Sequence, residues 1–318
     1  MNNTATQSKN SSETGKKMKT PTSPRINSKR NFKPTTNKDI YKKVTDLIID
    51  QLEQGHIAWE NPVIHNCRPQ NLVTGHIYRG INPFLLSMCE TPYFMTFKQA
   101  RSIKANIKKG AKSLPVVFWS VGIYSKENEA GELEEKKSFL LKYYNVFNLS
   151  DIENLPAKYL KKTEFNKKNK LEIQTAEQII NNYKNAPKLE LCTGTPHYSP
   201  AADVIRTPKK EFFKSSNHYY STLFHEMGHS TGHKSRLNRF DKEHANLRFG
   251  SKDYAKEELT AELTASFLMS QTGETVNIDQ RAAYIESWLK VLKNDNKLLI
   301  SSAGKAEKAT NYILNIKI

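Results

Sequence analysis

Hydrophobic residues recur at helical spacing where the chain first shows a clear pattern. Between Ile40 and Gln54 they lie three or four residues apart and a glycine follows, which predicts an amphipathic helix. Thr96, a good N-cap residue, starts a second predicted helix that reaches Gly110. The stretches 116–124 and 136–146 have the composition of strands. This half of the chain is therefore expected to be a mixed α+β domain.

The second half of the chain has its own series of elements. The pattern predicts a helix at 171–183, a short strand at 188–192 and an extended segment at 203–206. Two longer helices follow, one at 215–232 and the other at 251–270. A second α+β domain is therefore expected.

Two segments of unusual composition lie outside these two predicted domains, one at the N-terminus and one between the domains. Residues 1–38 are rich in Ser, Thr, Asn, Lys and Pro and lack periodicity, so we expect a disordered basic tail. The lysine-rich stretch 156–170 is expected to be a linker. The predicted organisation is a two-domain α+β protein, with one domain at 39–155 and the other at 171–318.

The net charge of the 318 residues is +17, which favours polyanionic partners such as nucleic acid. The three cysteines have neither disulfide nor metal-knuckle spacing, which fits a reducing cytoplasm. No apolar run approaches the roughly 18 residues of a membrane span, and the N-terminus lacks a signal-peptide core. We therefore expect a cytoplasmic protein with no membrane partner.

His225, Glu226 and His229 form an H-E-x-x-H motif. The four-residue spacing places both imidazoles on one face of a helix, one turn apart, where they can share a Zn²⁺ ion. Glu226 can then act as general base on a metal-bound water. His233 lies too far along the helix to share the ion unless the helix breaks, and Ser235 stands where the metzincin pattern has its third histidine. The motif predicts a hydrolytic zinc site, with another divalent metal as an alternative.

A catalytic zinc site needs a third protein ligand. Glu258 and Glu262 share one face of the long helix, and that face is otherwise apolar, so their carboxylates need a partner. We favour Glu258 as the ligand, because thermolysin-like enzymes resemble this order. Glu262 is then the hydrogen-bond partner of a ligand histidine, or the alternative ligand. Tyr219 or Tyr220 could assist, although core packing is the simpler role for each. The segment at 203–206 would be an edge strand that pairs with an extended substrate.

Six basic residues and no acid lie between Thr96 and Lys112, in a half of the chain rich in aromatic residues. Basic side chains can follow phosphates while rings stack on unpaired bases, which is typical of proteins that bind single strands. The alternative for any single ring is core packing. We predict phosphate contacts from four residues and base contacts from two more: Lys98, Arg101, Lys104 and Lys108, then Tyr78 and Arg79.

Several motifs resemble those of the ArdC-type antirestriction proteins of conjugative plasmids and mobile elements. The resemblance runs over residues 40–155 and 196–313. Its motifs include Tyr78-Arg79-Gly80-Ile81-Asn82, Val117-Phe118-Trp119, Tyr144-Asn145-Val146-Phe147-Asn148, the block from Tyr219 to His233, Arg236-Leu237-Asn238-Arg239 and Glu257-Glu258-Leu259.

The resemblance implies an N-terminal domain that binds single-stranded DNA without sequence preference and a C-terminal domain with a zincin-like metallopeptidase fold. It also implies that the protein protects incoming plasmid DNA, with a host restriction-system protein as a substrate or target. Two alternatives stay open: a non-catalytic single-strand-binding protein with a structural zinc site, and an accessory of a conjugative primase. Primase chemistry itself would need a carboxylate metal centre for nucleotides, and we find none in the sequence.

Overall fold

The computed structural model describes residues 37–64, 67–127, 133–168, 174–240, 251–278 and 281–317. In these ranges the helices are α1 (Asn37–Glu53), α2 (Asn82–Leu86), α3 (Phe97–Ser102), α4 (Ala157–Lys168), α5 (Ala176–Asn182), α6 (Ser216–Ser230), α7 (Lys252–Gln271), α8 (Arg281–Asn294) and α9 (Leu298–Ile313). The strands are β1 (Gln70–Asn71), β2 (Tyr93–Met95), β3 (Asn106–Ile107), β4 (Leu114–Glu127), β5 (Leu133–Asn148), β6 (Ile152–Glu153), β7 (Lys188–Leu191), β8 (His197–Ser199) and β9 (Val204–Thr207). The predicted basic tail lies outside the described residues, except that Asn37 and Lys38 already belong to α1.

A four-stranded sheet organises the N-terminal half. Its order is β1-β2-β5-β4, with β1 and β2 parallel and the other pairs antiparallel. The long strands β4 and β5 form a hairpin whose register runs from Leu114 opposite Val146 to Glu127 opposite Leu133. Both strands predicted for this region are confirmed, and both are longer than the alternation indicated.

The second predicted helix is much shorter than expected. The predicted N-cap is confirmed, because the side chain of Thr96 accepts a hydrogen bond from a backbone N–H at the start of α3. The helix itself is only six residues long. Lys104 then adopts a left-handed conformation with a φ of 61°, and β3 pairs with β6. This pairing outweighs the local helical pattern. Lys104 and Lys108 therefore do not share a helical face with Lys98 and Arg101.

The stretch predicted to be a linker, 156–170, is helical over most of its length as α4. Tyr159 is buried in a cluster with residues of the N-terminal half. One turn later, the backbone carbonyl of Thr163 accepts a hydrogen bond from the hydroxyl of Tyr93 at 3.5 Å. One face of α4 therefore packs on the N-terminal half, a role that the high lysine content obscured in the sequence.

A three-stranded sheet and the helices α5 to α9 build the C-terminal half. The helix predicted at 171–183 is α5, which begins later, after its N-cap Thr175. The sheet order is β7-β9-β8, with β7 parallel and β8 antiparallel to β9. The segment predicted to be an edge strand, 203–206, contributes to β9, which is central. The prediction of an edge strand was wrong, because β8, which is only three residues long, pairs with the side of β9 that would otherwise be free.

One hydrophobic core joins the two halves. It includes Val44 of α1, Leu141 of the hairpin, Phe267 of α7 and Leu299 of α9, all nearly completely buried. The described residues accordingly belong to one compact unit. Among the described helices, none combines the length and the apolar character that crossing a membrane requires.

Gly228 lies where α6 packs against α7, and we expect its substitution by alanine to destabilise the fold. A Cβ atom on Gly228 would lie 3.0 Å from the Cα atom of Ala261 and 3.2 Å from the Cβ atom of Thr264. Gly228→Ala should therefore lower the free energy of unfolding by about 1–3 kcal/mol in chemical denaturation. The matched control is Gly304→Ala in α9, whose Cβ would meet no atom within 4 Å. It should be neutral or stabilising by about 0.5–1 kcal/mol, and equal effects of the two substitutions would contradict the packing argument.

Candidate metal centre

Helices α6 and α7 bring three side chains together. Because α6 runs unbroken from its N-cap Ser215, His225 and His229 lie one turn apart, with their Nε2 atoms separated by 3.0 Å. Glu258 of α7 faces them, with Oε2 3.4 Å from Nε2 of His225 and Oε1 3.5 Å from Nε2 of His229. One ligand atom from each of the three side chains lies within 4.8 Å of the others.

This set of donors fits a divalent cation. Two imidazoles and one carboxylate are ligands that zinc and other first-row metals accept, and three protein ligands leave a position for water or substrate. Burial acts to raise the pKa of Glu258, but its hydrogen bond with His225 and the charges of both histidines lower it to about 2. The pKa of His225 rises to about 9, because the neighbouring carboxylates outweigh the effect of burial.

Two more carboxylates lie behind the histidines. Oε1 of Glu257 is 3.3 Å from Nδ1 of His229 and accepts a hydrogen bond from Nη2 of Arg239 at 2.6 Å. Oε1 of Glu262 is 3.7 Å from Nδ1 of His225. Each imidazole thus directs Nε2 to the common point and Nδ1 to a carboxylate, an arrangement that orients metal-binding histidines. Burial acts to raise the pKa of Glu257, but hydrogen bonds with His229 and Arg239 lower it.

A series of buried contacts connects this centre with the N-terminal half. Nε1 of Trp59 donates to the hydroxyl of Tyr284 at 2.9 Å, and Tyr284 is hydrogen-bonded to Glu262. The Trp59 ring packs edge-on against Trp288, with 6.1 Å between the centroids. Burial raises the pKa of both Glu262 and Tyr284. Through these groups, His225 is connected to a residue from the other half of the chain.

Glu226 lies in the cleft that contains the three converging side chains. Its buried carboxylate accepts a hydrogen bond through Oε2 from the backbone N–H of Tyr198 in β8, at 2.7 Å. The hydroxyl of Tyr198 donates to Oδ1 of Asp203 at 2.7 Å and accepts from Nη2 of Arg236 at 3.2 Å. These contacts fix β8 as a wall of the cleft. The cleft is also lined by Pro196, His197, Pro200, Phe240 and Tyr254.

Three other candidate residues lie outside the cleft. His233 follows the end of α6 and contacts Ser235, with 2.8 Å between Nδ1 and Oγ, so it does not join the cluster. The hydroxyl of Tyr220 accepts from Nζ of Lys210 at 2.7 Å. Tyr219 packs against a hydrophobic cluster of the C-terminal half. Neither tyrosine lines the cleft beside Glu226.

Sequence reasoning missed two contributors to the site. Tyr254 lines the cleft and hydrogen-bonds Glu258, and its pKa rises to about 12, chiefly through burial. Its position one turn before Glu258 on the same helix was a usable signal. The ion pair between Glu257 and Arg239 could not be predicted in this way, because residues 18 apart in the sequence share no local helical pattern.

The residues predicted to contact nucleic acid separate into two groups. Tyr78 is almost completely buried, with its ring edge-on to Phe94 at 6.1 Å, so the prediction of base contacts from this residue is wrong. Core packing, the alternative for any single ring, applies here. The remaining predicted residues are all cationic and exposed: Arg79, Lys98, Arg101, Lys104 and Lys108.

Two family models match the chain. The model for the N-terminal domain of anti-restriction factor ArdC matches residues 38–147, and a zincin-like metallopeptidase model matches residues 174–305. The predicted fold class, a two-domain α+β protein with a zincin-like C-terminal domain, is therefore confirmed.

Similar curated proteins differ in length. Two proteins named DNA primase TraC, both from Escherichia coli, are 32% identical over 87% of this chain, but the chain spans only 27% and 20% of their lengths. The uncharacterized protein y4eC of Sinorhizobium fredii is 27% identical and aligns over 88% of this chain and 93% of its own length.

Two solved structures of the antirestriction protein ArdC from plasmid R388 are similar to this chain, each with 32% identity and a TM-score of 0.65. The metal-free structure aligns over 88% of this chain and 100% of its own. The Mn(II)-bound structure aligns over 87% and 97%, and together with the cluster described above it supports a divalent metal in this fold. At this identity and coverage, the chain belongs to the ArdC family of antirestriction proteins.

Proposed function

We propose that the chain is an antirestriction protein of a mobile element and that its C-terminal domain is a metal-dependent peptidase. His225, His229 and Glu258 hold the ion, which is zinc or another divalent metal, and Glu262 orients His225. The observation that carries the proposal is the convergence of three donor atoms within 4.8 Å in the same cleft as the buried carboxylate of Glu226.

Glu226 is the general base in this proposal. One of its oxygens is held by the backbone of β8, which leaves the other to take a proton from water and pass it to the leaving amine. The bound metal would lower the pKa of that water towards ~7 and polarise the scissile carbonyl. Tyr254 keeps its proton because of its raised pKa and donates to Glu258, which positions this ligand.

The shape of the cleft favours an extended peptide as substrate. Strand β8 forms one wall and, among the described strands, pairs only with β9. A polypeptide in extended conformation can align beside such an edge strand. We propose a protein of the host restriction system as the substrate or target.

We also propose that the N-terminal domain binds single-stranded DNA. Its ArdC-type fold suggests nucleic-acid binding, and its exposed cations at Arg79, Lys98, Arg101, Lys104 and Lys108 can neutralise phosphates. Binding of this kind would hold the protein on single-stranded DNA as it enters the recipient cell.

Glu226→Gln is expected to retain the metal and to abolish peptidase-dependent protection, because it removes the base without removing a ligand. The rate of peptide cleavage should fall about 10²–10⁴-fold. Elemental analysis measures metal content, and the transfer frequency of an unmodified plasmid into a restricting recipient measures protection. Glu211→Gln, at an exposed glutamate of the same half, is the control. Unchanged protection by Glu226→Gln would instead favour a non-catalytic DNA-binding protein with a structural metal.

Tyr284→Phe tests whether the buried contacts behind His225 support the metal. The substitution keeps the ring but removes the hydroxyl that joins Trp59 to Glu262. We expect metal affinity to fall about three- to tenfold in competition with a chelator, because direct partners of ligand histidines contribute about 10–100-fold and Tyr284 acts on His225 through Glu262. Tyr183→Phe, which removes a buried hydroxyl bonded to Ser230, is the matched control and should leave the affinity unchanged. Equal metal affinity in wild type and Tyr284→Phe would show that these contacts serve folding only.

The double substitution of Lys98 and Arg101 by alanine tests the DNA proposal. Each lost phosphate contact should reduce the slope of log affinity against log salt by about 0.7, so the pair should reduce it by roughly 1.4. Fluorescence anisotropy of a labelled oligo(dT) at several salt concentrations measures the slope. Alanine at Lys290 and Lys308, exposed lysines of α8 and α9, is the control. If both double variants bind like wild type, these two residues do not contact the strand.

A further inference from the structure

The hairpin of β4 and β5 extends beyond the core of the protein. Val117 and Leu141 are buried in the core that joins the two halves. Further along the two strands, large apolar side chains are exposed to solvent on both faces, and those on the face of Val117 and Leu141 include Trp119 by 51%, Val121 by 55%, Ile123 by 64% and Phe139 by 60%. Contiguous apolar surface of this kind marks a binding site more often than an isolated exposed residue does.

The register of the hairpin places several of these side chains in one row. Residues directly opposite each other on an antiparallel pair share a face, and so do alternate residues along each strand. The opposed pairs are Val117 with Tyr143, Trp119 with Leu141, Val121 with Phe139 and Ile123 with Lys137. Successive pairs lie about 7 Å apart along the strands. We call the row formed by Tyr143, Trp119, Val121 and Phe139 the aromatic track.

Cations lie at both ends of the aromatic track. At the end near the core, Nζ of Lys43 in α1 is 4.3 Å from the centroid of the Tyr143 ring. At the other end, the exposed Lys137 follows Phe139 on the same face. From the core towards the tip of the hairpin, the first acidic residue on this face of the two strands is Glu135, which lies two residues closer to the tip than Lys137. The charge of the track therefore fits a polyanion.

We propose that the aromatic track is the surface on which unpaired bases of single-stranded DNA stack; this inference rests on the proposed binding of single-stranded DNA. Aromatic rings accept the face of any base, and lysines at the ends of the row can contact the phosphates that connect successive bases. Bases in a duplex are already stacked on each other, so the track distinguishes a single strand from a duplex. It supplies the ring contacts that the buried Tyr78 cannot make.

Tryptophan fluorescence tests this directly, because the chain has three tryptophans with different exposure. Trp59 and Trp288 are buried and Trp119 is half exposed. Oligo(dT) added to the metal-loaded full-length protein should quench the exposed component of the emission and protect it from acrylamide. In Trp119→Phe, which keeps a ring, binding should stay within about threefold of wild type while this fluorescence response disappears.

Removal of the ring should weaken binding. Trp119→Ala and Phe139→Ala are each expected to reduce the affinity for oligo(dT) about 5- to 100-fold in anisotropy titrations, as for other stacked bases. Phe212→Ala is the matched control, since Phe212 is an exposed aromatic residue of the C-terminal half. Because all three side chains are exposed, thermal unfolding should show that the variants fold like wild type.

The possible results distinguish a failure of the aromatic track from a failure of the proposed DNA binding. If the wild-type protein does not bind oligo(dT), the proposed DNA binding itself fails. If it binds, but Trp119→Ala and Phe139→Ala bind equally well and the fluorescence does not change, the strand lies elsewhere and the track is overturned. The track is also overturned if these variants bind oligo(dT) normally yet lose protection in cells, because the surface then binds a protein.

Discussion

The close packing of α6 against α7 is the constraint on which the metal centre depends. Gly228 lies between the two histidines of the motif and presents no side chain to α7, so the backbone at Ala261 can approach it closely. That approach lets Glu258, on α7, reach both His225 and His229 on α6. A helical motif alone places two imidazoles on one face. The third donor requires a particular distance between two helices, and small residues at their contact set that distance.

The concentration of carboxylates around two imidazoles explains why a cation suits this cleft. Glu257 is balanced by Arg239, with which it forms a nearly buried ion pair. Glu226 and Glu262 are also shielded from bulk water, where an uncompensated charge is costly, and the cation that Glu262 contacts is His225, an imidazole that Glu258 contacts as well. Burial raises the pKa of Glu262 for this reason. A divalent ion bound next to Glu258 would offset the excess negative charge that the fold has assembled.

The sequence predicts the parts of the site that follow from helical periodicity and misses those that depend on tertiary contacts. The i, i+4 spacing within α6 and within α7 placed the histidines and Glu258 correctly on facing surfaces. The same reasoning extended α3 too far, because pairing of β3 with β6 joins segments distant in sequence. It also assigned Tyr78 to the surface, although packing against Phe94 buries it. The pair of Arg239 and Glu257 joins two segments by a contact with no local pattern.

The boundary between the two family domains is not a boundary of packing. Trp59 donates its indole N–H to Tyr284, and its backbone carbonyl accepts a hydrogen bond from the hydroxyl of Ser266 in α7. Leu141 of the N-terminal half shares a core with Phe267 of the same helix. Cutting the chain between the halves would expose that core to water and leave Tyr284 without its donor. The proposed metal centre and the proposed DNA surface therefore belong to one cooperative structure, in which each half stabilises the other.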